Sequence, residues 1–299
     1  MASASATLTG CAFICNSNCY LMGALQFRAF AAQAEAHTPS RLPLTRCRQA
    51  ACPGWRGGID CHRTATIRST AMSRGTPSPF ADPAAVASYA TDAPRKVPGL
   101  ADLHRMAMLL LAERAADATQ ILVVGAGGGL ELAALAQAQP RWRFSGVDPS
   151  RAMLDLARQV TSPYADRIAL LEGTVDQAPD GPFAGATCLL TLHFLDRAER
   201  LRTLQEIRRR LAPAARLVIA HHAAVGEDPQ RWLARSAAFG ERASVEWGKA
   251  MTSGTVLAAQ LPLLAPAEEE ALLWEAGYVD VALCYAALSF RGWVASAPA

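Results

Sequence analysis

The sequence has no long apolar run, although 51% of its 299 residues are hydrophobic. No run reaches the roughly 18 residues that a membrane-spanning helix requires, so a membrane protein is not expected. A chain of this length and apolar content can instead bury one large core. The sequence therefore favours one large globular domain.

Acidic residues and lysine are scarce in the first part of the chain. Residues 1–71 contain seven arginines, no lysine and only Glu35 and Asp60, whereas the whole chain has a net charge of +3. The remaining residues are therefore slightly acidic. Binding of nucleic acid depends on phosphate neutralisation by a basic surface, so the sequence gives no strong nucleic-acid signature.

The same N-terminal segment lacks sustained hydrophobic periodicity. It also lacks the basic start of a signal peptide, because its first basic residue is Arg28. We predict residues 1–78 to be a disordered extension, either a targeting segment or sequence upstream of a natural start at Met72. Residues 79–299 are predicted to form the folded domain.

Cysteine is rare in this predicted domain, which contains two of the eight, Cys188 and Cys284. Two thiols within apolar strands suit a reducing, cytoplasmic location. The N-terminal series Cys11, Cys15 and Cys19 lacks the spacing of zinc sites, and we expect no metal site.

The most informative feature of the sequence is the segment 121–131, ILVVGAGGGLE. Four apolar residues lead directly into Gly125, Gly127 and Gly129, and a helix-forming run follows. This pattern predicts a buried parallel strand, a tight turn and a helix N-terminus, the arrangement that holds a nucleotide-like ligand in α/β sheets.

An acidic residue, Asp148, ends the next strand-like run, where its carboxylate can accept hydrogen bonds from both hydroxyls of a ribose. The glycine spacing is G-x-G-x-G, and Leu130 stands where a dinucleotide fingerprint requires Gly or Ala. Leu130 and Glu131 add bulk and negative charge where a pyrophosphate would bind. The pattern therefore favours an adenosine-type ligand with an amino-acid tail.

Strand and helix patterns alternate through the rest of the chain, which predicts a parallel sheet covered by helices on both faces. A helix is predicted over 101–116, a helical insertion over 228–264 and a final helix over 267–277. A closing antiparallel pair is predicted over 279–284 and 288–295. The predicted central strands are 121–125, 143–147, 168–172, 186–192 and 216–221. The helices between them are predicted near 129–138, 150–160 and 197–211.

Over about residues 79–297 the sequence resembles the class I S-adenosylmethionine-dependent methyltransferases. The segments that carry this resemblance are 124–129 (VGAGGG), 144–150 (FSGVDPS) with Met153, 170–176 (LLEGTVD), 186–195 (ATCLLTLHFL) and 206–213 (EIRRRLAP). It implies a Rossmann-like fold with a seven-stranded, mostly parallel sheet. It also implies S-adenosylmethionine as the cofactor.

The flanking segments 95–99 (RKVPG) and 285–294 (YAALSFRGWV) are similar to the branch that contains carboxy-S-adenosylmethionine synthases of tRNA wobble-uridine modification. The sequence departs from the family at Val123, where an acidic residue usually helps to hold the methionine amino group of the ligand. It departs again at His221 and His222, where relatives often have an acidic residue.

The resemblance assigns roles to particular residues. For the cofactor it implies Gly125, Ala126, Gly127, Gly129, Asp148, Pro149, Met153, Thr174, Val175 and Leu192. For a substrate pocket it suggests Tyr89, Arg95 and His222, and it places the predicted helical insertion over 228–264 near the substrate site. His193 and His221 are the candidates for a catalytic group, and each is also consistent with a structural histidine.

The sequence therefore predicts methyl transfer from S-adenosylmethionine to an unidentified small-molecule acceptor. Two alternatives remain within reach of the same pattern: a carboxy-S-adenosylmethionine synthase-like enzyme and an NAD-dependent oxidoreductase. A catalytically silent ligand-binding module is a third. Nothing in the sequence indicates an oligomeric state.

Overall fold

The structure is a computed structural model and describes residues 83–117, 119–241 and 244–299. The predictions for residues 1–78 lie outside this part of the chain. Its strands are β1 (Gln120–Val124), β2 (Arg143–Asp148), β3 (Ile168–Glu172), β4 (Phe183–Leu189), β5 (Leu211–His222), β6 (Val279–Ala287) and β7 (Phe290–Ser296). Its α-helices are α1 (Pro83–Lys96), α2 (Leu100–Ala112), α3 (Leu130–Ala138), α4 (Arg151–Val160), α5 (Arg197–Arg210), α6 (Pro229–Gly240), α7 (Trp247–Gln260) and α8 (Pro266–Glu275).

The strands form one seven-stranded sheet in the order β3-β2-β1-β4-β5-β7-β6. Strands β1 to β5 pair in parallel, whereas β7 lies antiparallel between β5 and β6. The predicted fold class, with its closing antiparallel pair, is confirmed. Because the first five strands are parallel, their carboxyl ends meet at one edge, where α/β proteins bind ligands.

Strand β1 shows how the sheet is covered on both faces. Ile121 and Val123 belong to the core formed with α2 and α3, and Leu122 and Val124 belong to the core on the opposite face. All four side chains are at most 5% exposed. A strand buried on both sides has no need for polar alternation, which explains its continuous apolar sequence.

The structure differs from the predicted elements at two places that affect the site. Strand β4 ends at Leu189 rather than at 192, because Leu190 has a positive φ of 58° and a 3₁₀ turn follows over Leu192–Phe194. The segment before the predicted first helix, for which no element was predicted, is itself helical, and Tyr89 and Arg95 lie in α1.

The two flanking segments that suggested a narrower family branch meet in the fold. The hydroxyl of Tyr285 on β6 donates a hydrogen bond of 2.6 Å to the carbonyl of Pro98, between α1 and α2. This contact joins the C-terminal strand pair to the helices that precede β1. Packing therefore accounts for part of that sequence pattern.

Helices α6 and α7 occupy the segment for which a helical insertion was predicted, and they pack against each other around Gly254. None of the helices that the structure describes combines the length and apolar character needed to cross a membrane.

Gly129 lies at the N-terminus of α3 and packs against α4, so we expect it to tolerate no side chain. Its φ is 82°, and a Cβ atom there would lie 2.9 Å from the Cα atom of Ala157. We expect Gly129→Ala to lower the free energy of unfolding by about 2–4 kcal/mol, because left-handed strain and a backbone clash add up. The matched control is Gly248→Ala in α7, where a Cβ has nothing within 4 Å. That control should change the free energy of unfolding by about 0.5 kcal/mol or slightly stabilise the helix. Equal losses of unfolding free energy for the two variants, measured by urea unfolding, would contradict the prediction.

Candidate active site

The glycine turn after β1 has the backbone conformation that its sequence predicts. Gly125, Gly127 and Gly129 have φ values of 76°, 50° and 82°, a region that side chains other than glycine rarely occupy. A Cβ atom on Gly125 would also lie 2.0 Å from Oγ1 of Thr191. The turn therefore packs directly against the connection that follows β4.

The amide groups of this turn are largely used within the protein. The amides of Gly125 and Ala126 both donate to the carbonyl of Val147 at 2.9 Å. The amide of Gly127 donates to Oδ2 of Asp148, also at 2.9 Å. These bonds join the turn to the end of β2 and fix its shape.

Asp148 lies at the end of β2 beside the turn and is 8% exposed. Its Oδ2 atom accepts from Gly127, and its Oδ1 atom accepts from the amide of Ser150 at 2.8 Å. Burial raises the pKa of this carboxyl, and the two amide hydrogen bonds oppose the shift. The carboxylate is thus held in one orientation next to the glycines, and its ribose-binding role stays a prediction.

Two further predicted residues border the glycine turn. A Cβ atom on Gly127 would lie 3.2 Å from the hydroxyl oxygen of Tyr89 and 3.5 Å from Cε of Met153. Burial raises the pKa of Tyr89 well above its usual value, and the nearby carboxyls of Glu131 and Asp148 add to the shift. Helix α1 therefore contributes a neutral tyrosine to the surface of the turn.

The remaining predicted cofactor residues have varied surroundings. Pro149 is exposed, whereas Val175 and Leu192 are buried in the core. Thr174 is exposed and donates through Oγ1 to Asp176 at 2.7 Å. That bond and the ion pair of Asp176 with Arg202 lower the pKa of the Asp176 carboxyl. Thr174 and Pro149 are thus both exposed, and Thr174 lies next to a carboxylate that an ion pair holds in place.

A largely apolar cleft opens next to the connection after β4. Four polar residues contribute to it: Lys96, His193, His222 and Ser236. The apolar residues that line it are Val97, Leu190, Phe194, Ala237, Leu257, Leu261 and Phe290. Residues of α1, β5, α6, α7 and β7 and of the connections after α1, β4 and α7 meet here, which makes it a candidate small-molecule pocket.

The histidines of the cleft are held by defined hydrogen bonds. Nδ1 of His222 lies 2.7 Å from Oγ of Ser289, which lies 2.6 Å from Oγ of Ser236. Nδ1 of His193 accepts from the backbone amide of His222 at 3.4 Å, which places the proton of a neutral His193 on Nε2. The His222 ring also stacks on Phe290 with the centroids 3.9 Å apart.

Both imidazoles are uncharged at neutral pH. Burial lowers the pKa of His222 to about 3, with a further contribution from His221. Burial also lowers the pKa of His193 well below its usual value, and the two neighbouring histidines add to this. The two histidines thus present neutral hydrogen-bonding groups to the cleft, and its charged residue Lys96 is paired with Asp92.

His221 and Arg95 do not line the cleft. His221 is fully buried, with Nε2 2.9 Å from Oε1 of Glu269, while its neighbour His222 lines the cleft. Arg95 is exposed on α1, and the next residue, Lys96, lines the cleft with its ammonium 3.4 Å from Asp92. Tyr89, which was predicted for the substrate pocket, instead packs from α1 against the glycine turn.

The sequence interpretation missed several residues of the site. Lys96 and Phe290 lie in the two flanking segments 95–99 and 285–294 but were given no role, and Ser236 lies in the predicted helical insertion. Glu131 was treated as an unfavourable charge for a pyrophosphate, although its side chain is buried beside the turn. Among the described residues, no group of three or more histidine, cysteine or acidic side chains could hold a metal ion.

Comparisons with known proteins agree with this fold. Residues 121–214, from β1 to the start of β5, match the sequence profile of a methyltransferase domain family. An O-methyltransferase family protein from Burkholderia thailandensis superposes with a TM-score of 0.57 at 14% identity, over 74% of this chain and 62% of that one. A protein from Nostoc punctiforme assigned as an O-methyltransferase gives 0.53 at 19% identity, over 72% of this chain and 60% of that one.

A third similar structure is PigF with SAH, which gives a TM-score of 0.51 at 17% identity, over 73% of this chain and 60% of that one. The chain thus spans about three fifths of the length of these proteins. None of the curated proteins matches the sequence significantly. The fold is that of the Rossmann-like methyltransferases. The narrower resemblance to carboxy-S-adenosylmethionine synthases is not confirmed and stays a prediction.

Proposed function

We propose that this protein transfers a methyl group from S-adenosylmethionine to a small, largely apolar acceptor bound in the cleft. One observation carries the proposal: the connection after β4 contacts the glycine turn and also lines the cleft. Thr191 packs against Gly125 of the glycine turn, while Leu190, His193 and Phe194 line the cleft. A methyl donor on the turn and an acceptor in the cleft would be neighbours across this segment.

The residues of the turn fit S-adenosylmethionine better than a dinucleotide. The amides of Gly125, Ala126 and Gly127 donate within the protein, whereas a pyrophosphate site needs such amides for the ligand. The methyltransferase profile covers this same region. Asp148 is positioned beside the turn for a ribose, which both ligands contain. The phosphate-free ligand is therefore favoured.

The proposed mechanism relies on alignment. When bound, S-adenosylmethionine supplies a methyl group on a positively charged sulfur. The cleft contributes walls that exclude water and fix the acceptor, and such positioning accounts for a large part of rate enhancement. His193 and His222 remain neutral, so they can orient an acceptor by hydrogen bonding without repelling a sulfonium. A general base becomes necessary only for a weakly nucleophilic acceptor.

Acceptors with a hydroxyl group on an aromatic or apolar frame suit this cleft. Its walls are apolar, and two of the similar structures are described as O-methyltransferases or members of that family. A carboxylate donor, as in carboxy-S-adenosylmethionine synthesis, would need a cation, but Lys96 is already paired with Asp92. The cytoplasmic location remains a prediction.

Calorimetric titration of S-adenosylhomocysteine into the full chain tests the cofactor assignment. We expect the wild-type protein to bind this product analogue and not NAD. Asp148→Asn should weaken binding at least about tenfold, because a neutral amide replaces the carboxylate expected to accept from the ribose hydroxyls. The matched control is Asp155→Asn, an exposed residue of α4 paired with Arg158, which should leave affinity unchanged.

Circular dichroism of both variants separates lost binding from lost structure. Binding of NAD by the wild type, or no binding of S-adenosylhomocysteine, would overturn the proposed function. Equal affinities of wild type and Asp148→Asn would overturn the role of Asp148 alone. A screen of phenolic and other apolar hydroxyl compounds then tests the acceptor class by methyl transfer.

A further inference from the structure

Position 123 in β1 has valine, but its surroundings contain a carboxyl from another element. Val123 pairs with Thr187 of the parallel neighbour β4, so the two side chains point to the same face of the sheet. Val123 belongs to the core that includes the side chains of α3 on this face. The Thr187 hydroxyl lies beside the carboxyl of Glu131, in the first turn of α3.

Glu131 is buried without adequate partners. Its side chain is 7% exposed, and its Oε1 atom makes no hydrogen bond in the part of the chain that the structure describes. The nearby hydroxyl of Thr187 is also left without a well-formed hydrogen bond. No ion pair joins Glu131 to a lysine, arginine or histidine within the described ranges. A buried carboxylate in this state lacks the cation that would normally compensate it.

Two titratable groups of the described residues are coupled to Glu131, and neither is a cation. Tyr89 from α1 and Cys188 from β4 are the titratable groups coupled to it, and burial raises the pKa of each, so both are neutral at pH 7. Burial raises the pKa of Glu131 itself from 4.5 to about 7, and the Thr187 hydroxyl opposes the shift. The carboxyl is thus poised to release its proton when a cation arrives.

We propose that Glu131 binds the ammonium group of the methionine part of S-adenosylmethionine, in place of an acidic side chain at position 123. This inference rests on the proposed function. Its geometric basis is the placement of two buried carboxyls around one glycine turn. Asp148 lies at the end of β2, Glu131 lies in the first turn of α3, and Tyr89 is close enough to be affected by both.

This placement gives the two carboxyls separate tasks. Asp148 binds the ribose end of the ligand, and Glu131 binds its amino-acid end. S-adenosylhomocysteine carries both groups, whereas 5′-methylthioadenosine carries the ribose but no amino acid. The two ligands therefore distinguish the two carboxyls in one set of titrations.

We expect Glu131→Gln to weaken the binding of S-adenosylhomocysteine at least about tenfold, which is the usual effect of losing a charge-assisted hydrogen bond. Its affinity for 5′-methylthioadenosine should stay within about twofold of the wild type. Asp148→Asn should weaken the binding of both ligands. The matched control is Glu172→Gln at the exposed end of β3, which should bind both ligands like the wild type.

Proton release on ligand binding provides a second readout. Near pH 7 the binding of S-adenosylhomocysteine should release about half a proton from the wild type, because a carboxyl with a pKa of about 7 is half protonated there. Titrations in two buffers with different ionisation enthalpies measure this number. Glu131→Gln should abolish the release.

The outcomes separate this inference from the proposed function. If neither adenosine ligand binds the wild type, the proposed function fails, and this inference fails with it. If S-adenosylhomocysteine binds wild type and Glu131→Gln equally and without proton release, only the role of Glu131 is overturned. Equal weakening of both ligands by Glu131→Gln would indicate a structural role and would also overturn it.

Discussion

Replacing Glu269 by leucine is expected to lower the free energy of unfolding by about 3–5 kcal/mol, because it leaves a buried guanidinium without its counterion. Arg200 on α5 is 0% exposed and Glu269 on α8 is 1% exposed, and the two form an ion pair. Arg200 also donates to the carbonyls of Leu195 and Pro262 at 3.1 and 3.0 Å. The guanidinium therefore cannot turn towards solvent without breaking these bonds.

A second ion pair between the same two helices supplies the control. Nη2 of Arg197 lies 2.6 Å from Oε2 of Glu275, but the two side chains are 52% and 44% exposed. We expect Glu275→Leu to cost less than about 1 kcal/mol, because water already screens this pair. Urea unfolding of both variants at neutral pH compares the two positions directly.

The double variant Arg200→Met with Glu269→Leu tests the cause of the loss. Removing both charges should recover at least about 1 kcal/mol relative to Glu269→Leu, since the uncompensated charge is then absent. Recovery should be incomplete, because the carbonyls of Leu195 and Pro262 lose their donor. Equal losses for Glu269→Leu and Glu275→Leu would contradict the prediction.

The features that the sequence predicted correctly depend on local rules. Strand β1 is apolar throughout because both of its faces are buried, and the three glycines after it have the positive φ values that the turn requires. These signals come from neighbouring residues, so they can be interpreted without the rest of the fold.

The errors arose where local signals compete. The apolar run continues past the end of β4, so periodicity alone extended the strand to 192, whereas Leu190 has a positive φ. Helix α1 contains Pro94 and a weakly apolar sequence, which concealed a helix over the segment with Tyr89 and Arg95. In both cases tertiary packing overrides the local preference.

The cleft and the Glu131 site could not be derived from local sequence. Lys96, His222 and Phe290 come from three separate elements and meet only after the sheet has formed. A glutamate in the first turn of a helix is usually a solvated charge that complements the helix dipole. The burial of Glu131 follows from tertiary packing near Thr187 of β4 and Tyr89 of α1, which the sequence does not encode locally.

Glu131→Gln is expected to stabilise the ligand-free protein at alkaline pH while it weakens cofactor binding. Because burial raises the pKa of Glu131 from 4.5 to about 7, the stability that this group contributes is complete below pH 4.5 and is lost as the pH rises to about 7. A shift of this size corresponds to about 3 kcal/mol once the carboxyl is ionised. Glutamine does not ionise, so the variant avoids this cost.

Urea unfolding at pH 5 and pH 8 measures the effect. The gain of Glu131→Gln over the wild type should be small at pH 5 and should reach about 2–3 kcal/mol at pH 8. Glu172→Gln, whose side chain is 53% exposed in the wild type, should change stability by less than about 0.5 kcal/mol at both values. A residue that served packing alone would instead destabilise the protein on replacement, and a loss at pH 8 would contradict the prediction. Saturating S-adenosylhomocysteine should then stabilise the wild type more than the variant, because the ligand's ammonium compensates a charge that only the wild type has.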